Sequence, residues 1–189
     1  MKQWAWRTIK SSQAVGAHDH LANASPWVER FASLIPKQGL VLDLACGVGR
    51  HAVFLAQLGF SVLGVDQDVS QIESLAYPSI KTKALDLELE EWPLEGAQFS
   101  GIVVTNYLYR PHLDRLPQIL APKGVLIYET FAEGNAQFGK PSNPNFLLKE
   151  GELLALAARH QLKIMAYEDI YTDEPKPAMV QRLCAVKAG

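Results

Sequence analysis

The chain has 189 residues, of which 48% are hydrophobic and 20% are charged, and its formal net charge is −2. This length suits one domain, and the charge gives no overall attraction to nucleic acid or to an anionic membrane. Two cysteines are too few for a disulfide framework, and no run of about 20 apolar residues predicts a membrane span. We therefore expect a cytoplasmic protein with a single domain over residues 1–189.

Seven short apolar runs are predicted to be β-strands, and they cover residues 39–44, 61–66, 81–85, 101–105, 125–129, 163–169 and 180–187. Helical patterns lie between them: one begins at Ser25-Pro26, and the others cover residues 49–58, 70–76 and 150–160. Because strands alternate with helices, we expect a parallel sheet with helices on both faces. A short turn with Pro175 and Pro177 joins the last two strands, which favours an antiparallel pair.

Two of the segments without a predicted helix or strand are informative about function. Residues 131–148 contain three Phe and three Asn, which argues against disorder, and a connection of this length is typical of a lid. We interpret this segment as a lid-like insertion after the fifth strand, and residues 1–24 as an N-terminal flap. His18 and His20 flank Asp19 in the flap without a further ligand nearby, so no metal site is predicted.

The most informative stretch is the glycine loop between the first strand and the next helix. Gly47 and Gly49 permit unusual backbone dihedrals and let a ligand approach the main chain closely. The second strand ends in Asp66, whose carboxylate at the same sheet edge can accept hydrogen bonds from ribose hydroxyls. Together these features predict a site for a cofactor with an adenosine group.

The charge beside the loop favours one such cofactor. Residues 47–52 formally match the dinucleotide fingerprint with alanine in the third place. However, Asp43 ends the strand that leads into the loop, where a pyrophosphate would meet a repulsion of roughly 1–4 kcal/mol. S-adenosylmethionine has no phosphate and carries an ammonium and a sulfonium. The loop and Asp43 therefore favour S-adenosylmethionine over a nicotinamide dinucleotide.

These motifs together resemble those of the class I S-adenosylmethionine-dependent methyltransferases. The matching segments, in motif order, are residues 43–49, Asp66, residues 84–87, residues 105–107 and the turn at residues 122–126. Residues 46–52 are similar to the small-molecule branch that includes tellurite-resistance and thiopurine methyltransferases. Ala45 and Ser100 depart from the family pattern, which often has glycine and aspartate there. Asn106-Tyr107 is not followed by the paired prolines of DNA and protein-glutamine methyltransferases.

The resemblance implies a three-layer α/β/α sandwich. Its mostly parallel seven-stranded sheet would have the order 3-2-1-4-5-7-6, with the last strand antiparallel. It also implies S-adenosylmethionine as cofactor and S-adenosylhomocysteine as product. The cofactor residues would be Asp43, Ala45, Gly47, Gly49, Asp66, Gln67, Asp86, Leu87 and Asn106.

The methyl acceptor is expected at the same edge of the sheet, because ligands of open α/β sheets bind at the carboxyl ends of the strands. Tyr107, Tyr109, Arg110 and Phe131 are the candidates for acceptor binding. Tyr107 and Glu129 are candidates for catalysis, although the sulfonium already activates the leaving group and no base is required.

Four functions remain open from the sequence, and a small-molecule methyltransferase leads them. An RNA methyltransferase is disfavoured by the net charge of −2 and by the absence of an extra binding domain. A non-catalytic cofactor-binding module or a partner-dependent subunit is a third reading. An NAD-dependent dehydrogenase is the least favoured because of Asp43. Neither the acceptor nor the oligomeric state follows from these residues.

Overall fold

The computed structural model describes residues 23–189, so nearly all of the predicted flap, with His18 and His20, lies outside the described residues. The strands are β1 (Leu40–Leu44), β2 (Ser61–Asp66), β3 (Ile80–Ala84), β4 (Phe99–Thr105), β5 (Leu120–Phe131), β6 (Lys163–Thr172) and β7 (Ala178–Val186). The α-helices are α1 (Pro26–Phe31), α2 (Arg50–Gln57), α3 (Ser70–Ser74), α4 (Arg110–Leu113), α5 (Arg115–Gln118) and α6 (Glu152–Arg159). No helix within residues 23–189 is long and apolar enough to span a membrane.

The seven strands form one sheet in the order β3-β2-β1-β4-β5-β7-β6, which confirms the predicted topology. The first five strands pair in parallel, whereas β7 lies antiparallel to both β5 and β6. The carboxyl ends of β1, β2, β3 and β4 therefore meet at one edge. Every polar side chain that follows these strands is brought to that edge.

Both faces of the sheet are covered, which gives the three layers of an α/β/α sandwich. The central strand β4 is buried along its whole length. One face packs on α1, α2 and α3 through residues such as Val28, Leu55 and Ile72. The other face packs on α4, α5 and α6 through residues such as Leu113, Leu116 and Leu153. Gly101 allows the first of these contacts, because a Cβ there would lie 2.8 Å from Ile35, which follows the 3₁₀ turn Ala32–Leu34 after α1.

The structure departs from the sequence prediction between β4 and β5. Helices α4 and α5 were not predicted, because each is one turn long and contains a proline that masks its pattern. Strand β5 begins at Leu120, ahead of the predicted residue 125, although Pro122 and Gly124 normally break strands. Pairing of Leu120 with Phe99, next to a register shift, extends this strand in the sheet. Tertiary pairing thus overrides local propensity here.

The segment after β5 closes on itself. Leu148 N–H donates to the Phe131 carbonyl at 2.9 Å, and Glu133 N–H donates to the Leu148 carbonyl at 2.8 Å. Two short 3₁₀ turns, Asn135–Gln137 and Pro144–Phe146, lie between these ends. The predicted lid segment therefore forms a loop with its two ends fixed side by side at the carboxyl edge of the sheet.

Candidate cofactor and acceptor site

The glycine loop is docked on the end of β2. The Cys46 amide donates to the Val65 carbonyl at 3.0 Å, and the Gly47 amide donates to Asp66 Oδ2 at 2.8 Å. Gly49 has a φ of +86° and is the N-cap residue directly before α2, and a Cβ there would lie 2.6 Å from Ile72. Only glycine satisfies both conditions, so the second loop glycine is required by backbone geometry and by packing.

Ala45 also has a positive φ, of 54°. A non-glycine residue in this left-handed region costs roughly 1–2 kcal/mol, because its Cβ crowds the following carbonyl oxygen. This explains physically why glycine is common at the position and why alanine, the smallest side chain with a Cβ, is tolerated. The loop keeps its shape despite the substitution.

Asp43 is placed behind the loop, away from its open side. Its side chain is 1% exposed, and its Oδ2 accepts a hydrogen bond from the Ala52 amide, in the first turn of α2, at 2.9 Å. Burial raises the pKa of this carboxyl to about 7, although the bond from Ala52 and the nearby Arg50 charge act in the opposite direction. The geometry favours a helix-capping role for Asp43 over the direct cofactor contact expected from the sequence.

The ends of β2 and β3 bring three predicted cofactor residues together. Asp66 Oδ2 accepts from the Gly47 amide, while its Oδ1 receives only a long bond of 3.4 Å from the Asp68 amide. Gln67 Nε2 donates to Asp86 Oδ1 at 3.1 Å, which links the two strand ends directly. Leu87 follows as a buried apolar residue. The half-exposed Asp66 carboxylate keeps acceptor capacity on its open side.

This arrangement fits S-adenosylmethionine better than a dinucleotide. A pyrophosphate would require free backbone N–H groups in the loop and at the start of α2. The Gly47 and Ala52 amides are already bonded to the carboxylates of Asp66 and Asp43. Two carboxylates therefore hold donors that phosphate oxygens would need. The sequence predicted the same preference from Asp43 and the loop, and the structure adds that Asp66 also holds a loop amide.

Asn106 and Tyr107 follow β4 at the same edge. Asn106 has a φ of 55°, and its backbone N–H donates to the Glu129 carbonyl at 2.9 Å. The residue itself is exposed. The Tyr107 hydroxyl points the other way and donates to the Leu87 carbonyl at 3.4 Å. Burial raises the pKa of Tyr107 well above its ordinary value, so its phenol stays protonated and is a poor general base.

Glu129 is committed to two partners within the protein. Its Oε1 accepts from Ser25 Oγ at 2.8 Å, its Oε2 pairs with Arg182, and its side chain is only 12% exposed. Arg182 also bonds Glu168 at 3.0 Å, so the group is a small ion-pair network between β5, β6 and β7. The geometry favours a structural role for Glu129 over that of a free catalytic base.

We expect Glu129→Gln to lower the melting temperature by roughly 5–10 °C, because a mostly buried ion pair is broken. Thermal unfolding measures this loss, and Glu133→Gln, which changes an exposed carboxylate in the adjacent loop, is the control. The affinity for S-adenosylhomocysteine at 20 °C should be the same in both variants. A fall in turnover with an unchanged melting temperature would instead assign Glu129 to the reaction.

Two predicted acceptor residues are used to hold the fold. Tyr109 packs edge-on against His112, with ring centroids 5.1 Å apart, over a narrow crevice beside Trp92. Arg110 donates to both carboxylate oxygens of Glu152 at 2.8 Å and to the Asn145 and Leu147 carbonyls at 2.8 and 2.6 Å. Arg110 therefore clamps the lid segment onto α6 and has little capacity left for a ligand.

The fourth candidate, Phe131, lies on the wall of an open cavity of about 560 Å³ at the carboxyl edge. Asn106 lies on the same wall, so the cavity adjoins the ends of β4 and β5. The remaining lining residues belong to the lid segment and to the turn between β6 and β7. Lys176, in that turn, was missed by the sequence analysis, because no local signal distinguishes a lysine beside prolines from any other surface lysine.

A buried histidine network was missed as well. His51 Nε2 lies 3.2 Å from the Ser25 amide, which donates to it, and His51 Nδ1 lies 3.4 Å from Thr105 Oγ1. Burial and the neighbouring Arg50 charge lower the pKa of His51 to about 3, so the ring is neutral. The network fixes the start of α1 above β4. Within residues 23–189 no cluster of His, Cys, Asp and Glu has an arrangement suited to a metal ion.

Comparison with known proteins finds relatives of the part of the chain that holds this site. A family model described as a methyltransferase domain matches residues 41–124, which hold the glycine loop, Asp66, Asp86 and Asn106. YqeM of Bacillus subtilis, provisionally named a methyltransferase, is 27% identical over 128 residues, or 59% of this chain and 51% of that protein. The tRNA U34 carboxymethyltransferase of Alcanivorax borkumensis is 34% identical over 101 residues, or 48% of this chain and 31% of that enzyme. The chain thus spans about half the length of YqeM and about a third of the length of the carboxymethyltransferase.

Solved structures share the fold. TehB from Haemophilus influenzae superposes with a TM-score of 0.70 at 20% identity, over 90% of this chain and 64% of that chain. The 1,6-didemethyltoxoflavin-N1-methyltransferase of Burkholderia thailandensis, solved with 1,6-didemethyltoxoflavin and S-adenosylhomocysteine, gives 0.66 at 17% identity, over 87% of this chain and 77% of that chain. The matched methyltransferase domain and the shared fold make the chain similar to the class I S-adenosylmethionine-dependent methyltransferases, and TehB-like structures are among those with which it shares this fold.

Proposed function

We propose that this protein transfers the methyl group of S-adenosylmethionine to a small-molecule acceptor. The observation that carries the proposal is the meeting of two features at one edge of the sheet. The glycine loop, Asp66 and Asp86 form a cofactor cradle there, linked by the Gly47–Asp66 and Gln67–Asp86 hydrogen bonds. A cavity of about 560 Å³ opens beside it, with Asn106 at its wall.

Each part of the cradle has a separate task. Asp66 accepts hydrogen bonds from the ribose hydroxyls, and the glycine loop lets the methionine part approach the main chain. Asp86 and the Leu87 amide meet the adenine ring. Ala45 and Gln67 shape the loop and the strand end beside them, and Asp43 holds α2 in place from behind through the Ala52 amide.

The chemistry requires alignment more than acid–base help from the protein. When bound, S-adenosylmethionine supplies an activated methyl carbon, to which the acceptor's lone pair bonds while the carbon–sulfur bond breaks and its electron pair stays on sulfur. The chain's own residues orient the acceptor and exclude water. Tyr107 stays protonated and Glu129 is ion-paired, so an acceptor proton leaves to solvent after the transfer.

A small-molecule acceptor is supported by size and charge. Ligand cavities for small molecules typically hold about 300–1,000 Å³, a range that includes this cavity. The similar Burkholderia methyltransferase was solved with bound 1,6-didemethyltoxoflavin, a small molecule. Cys46 and Cys184 are both buried and free, which suits the reducing cytoplasm, where we place the reaction.

A tRNA acceptor is the second candidate, because one relative of the matched region is a tRNA U34 carboxymethyltransferase. The net charge of −2 argues against it, since RNA binding relies on neutralising phosphates with basic side chains. Transfer of labelled methyl groups to bulk tRNA, lost as salt is raised, would reverse the order of the two candidates.

Calorimetric titration with S-adenosylhomocysteine, and separately with NAD⁺, tests the cofactor assignment. We expect micromolar binding of S-adenosylhomocysteine and none of NAD⁺, because the Gly47 and Ala52 amides are already bonded to carboxylates. Binding of NAD⁺ alone would overturn the proposal. Binding of S-adenosylhomocysteine without transfer to any acceptor would favour a non-catalytic module, and transfer only after addition of a second protein would favour a partner-dependent subunit.

A further inference from the structure

The cavity beside the cofactor cradle has a composition that indicates which acceptors it would take. Three separate parts of the chain build it: the ends of β4 and β5, the lid segment, and the turn between β6 and β7. The side chains used below are Asn106, Phe131, Lys140, Ser142, Phe146 and Lys176.

The charged groups of the cavity lining are all cationic. Lys140 and Lys176 line the cavity, and no acidic residue does. Neither ammonium forms an ion pair within 4.0 Å among residues 23–189, and Asp173 and Glu174, in the same turn as Lys176, do not pair with it. Two cations without a carboxylate partner on the wall of one cavity favour an anionic ligand.

The cationic side chains in the supporting structure are used differently. Arg110 and Arg182 each bind a carboxylate through short contacts, at Glu152 and at Glu129 respectively. The fold therefore provides acidic partners for the arginines that hold it together. Among residues 23–189 no lysine forms an ion pair, and Lys140 and Lys176 are the two whose position on the cavity wall leaves them available to a ligand there.

Aromatic side chains supply the apolar part of the cavity. Phe146 is 47% exposed, and Phe131 is half-buried on the wall. The Lys176 ammonium lies 5.9 Å from the centre of the Phe131 ring, so charge and aromatic surface adjoin each other. A flat apolar body with a negative group at one end would satisfy both features at once.

The lid segment holds this wall in place before any ligand binds. Asn135 is 1% exposed, donates to the Pro141 carbonyl at 2.9 Å and accepts from the Met179 amide at 3.1 Å. Arg110 binds the segment at its far end through the Asn145 and Leu147 carbonyls. Both flanks of the cavity-lining stretch are thus fixed to the sheet and to α6, which lowers the ordering cost of binding.

We propose that the methyl acceptor is a small planar aromatic molecule carrying a negatively charged group. The charged group pairs with Lys140 and Lys176, and the ring packs against Phe131 and Phe146. Asn106 and Ser142 are the polar side chains that fix its orientation. The inference rests on the proposed function, because it assigns the cavity to the acceptor of the methyl group.

The test uses 2-naphthoate and its neutral counterpart 2-naphthamide as probes, titrated against the full chain saturated with S-adenosylhomocysteine. The two probes have the same ring and differ in charge. We expect 2-naphthoate to bind at least about ten-fold more tightly, and the Lys140→Met/Lys176→Met variant to lose at least about ten-fold of that affinity, since each ten-fold step corresponds to one charge-assisted contact of about 1.4 kcal/mol.

A matched variant and a separate readout make failure interpretable. Lys81→Met/Lys163→Met removes two exposed lysines from β3 and β6, the outer strands of the sheet, and should bind 2-naphthoate like the unmodified protein. Equal binding of both probes, binding of neither at millimolar concentration, or no effect of the Lys140/Lys176 substitutions would overturn the inference. If the unmodified protein does not bind S-adenosylhomocysteine, the proposed function is overturned instead.

Discussion

Replacing Asp66 with alanine is expected to weaken S-adenosylhomocysteine binding at least about 100-fold. In the proposed function the Asp66 carboxylate accepts hydrogen bonds from both ribose hydroxyls, and each hydrogen bond to a charged group contributes about 1.5–3 kcal/mol. The substitution also removes the acceptor of the Gly47 amide, whose bond of 2.8 Å holds the loop against β2. Because Gly47 is exposed, water replaces that bond, and the melting temperature should change little.

Calorimetric titration measures this loss, and Asp68→Ala is the matched control. Asp68 is an exposed carboxylate two residues further on, and its Oδ1 accepts from the Ser70 amide at the start of α3. Its removal should leave the affinity unchanged. Asp66→Asn, which keeps an acceptor oxygen but loses the charge, should fall between the two. Unchanged affinity in Asp66→Ala would exclude the assignment of Asp66 to the ribose.

We expect the Asp43→Asn variant to lose more stability on acidification than the unmodified protein does. Burial raises the pKa of Asp43 to about 7, from 3.8, so the folded state holds a proton that the unfolded state has released between these values. Stability from this group is complete below pH 3.8 and is lost as the pH rises to 7. Acidification from pH 7 to 4.5 therefore stabilises the fold through Asp43 by roughly 3 kcal/mol.

His51 acts in the opposite direction over nearly the same range. Its pKa is lowered from 6.5 to about 3, so the unfolded state binds a proton that the folded state refuses. Stability from His51 is complete above pH 6.5 and is lost as the pH falls towards 3, by roughly 3 kcal/mol between pH 7 and 4.5. In the unmodified protein the contributions of Asp43 and His51 nearly cancel.

Urea unfolding at pH 7 and pH 4.5 separates the two groups. Asp43→Asn keeps an oxygen for the Ala52 amide and removes the titration. When the pH is lowered from 7 to 4.5, the free energy of unfolding of this variant should therefore fall by roughly 3 kcal/mol more than that of the unmodified protein. His51→Gln should show the reverse, a relative gain of similar size. Asp114 and Glu152, whose pKa values are lowered by ion pairs, titrate equally in all three proteins. An Asp43→Asn response parallel to that of the unmodified protein would contradict the account.

The alternation of strands with helices and the glycine loop could be predicted from the sequence, because both depend on residues that are close together in the chain. Buried parallel strands need continuous apolar runs, and such runs lie at residues 39–44, 61–66 and 101–105. A strand that ends in a glycine loop, followed by a strand that ends in Asp66, places both at one sheet edge once the strands are parallel. The parallel sheet and a cofactor with an adenosine group therefore followed from the pattern of the residues, whereas the strand order followed from the resemblance to the class I methyltransferases.

The roles of single charged residues depended on partners distant in the chain. Glu129 meets Ser25 and Arg182, and Arg110 meets Glu152, across separations of 104, 53 and 42 residues. No pattern within a helix or strand encodes such contacts. A carboxylate or guanidinium that looks available in the sequence is therefore assigned to structure or to ligand only when the fold supplies or withholds its counter-charge.

The sequence by itself determined the strands, the glycine loop and, through the charge of Asp43 beside that loop, the preference for S-adenosylmethionine. Strand periodicity, glycine conformation and the charge of a neighbouring residue are all local properties. Tertiary structure alone decided that Asp43 is buried behind the loop and that Lys140 and Lys176 line one cavity. It also decided that Glu129 and Arg110 are ion-paired within the fold. These outcomes depend on burial and on which charges meet, and both are set only when distant segments pack together.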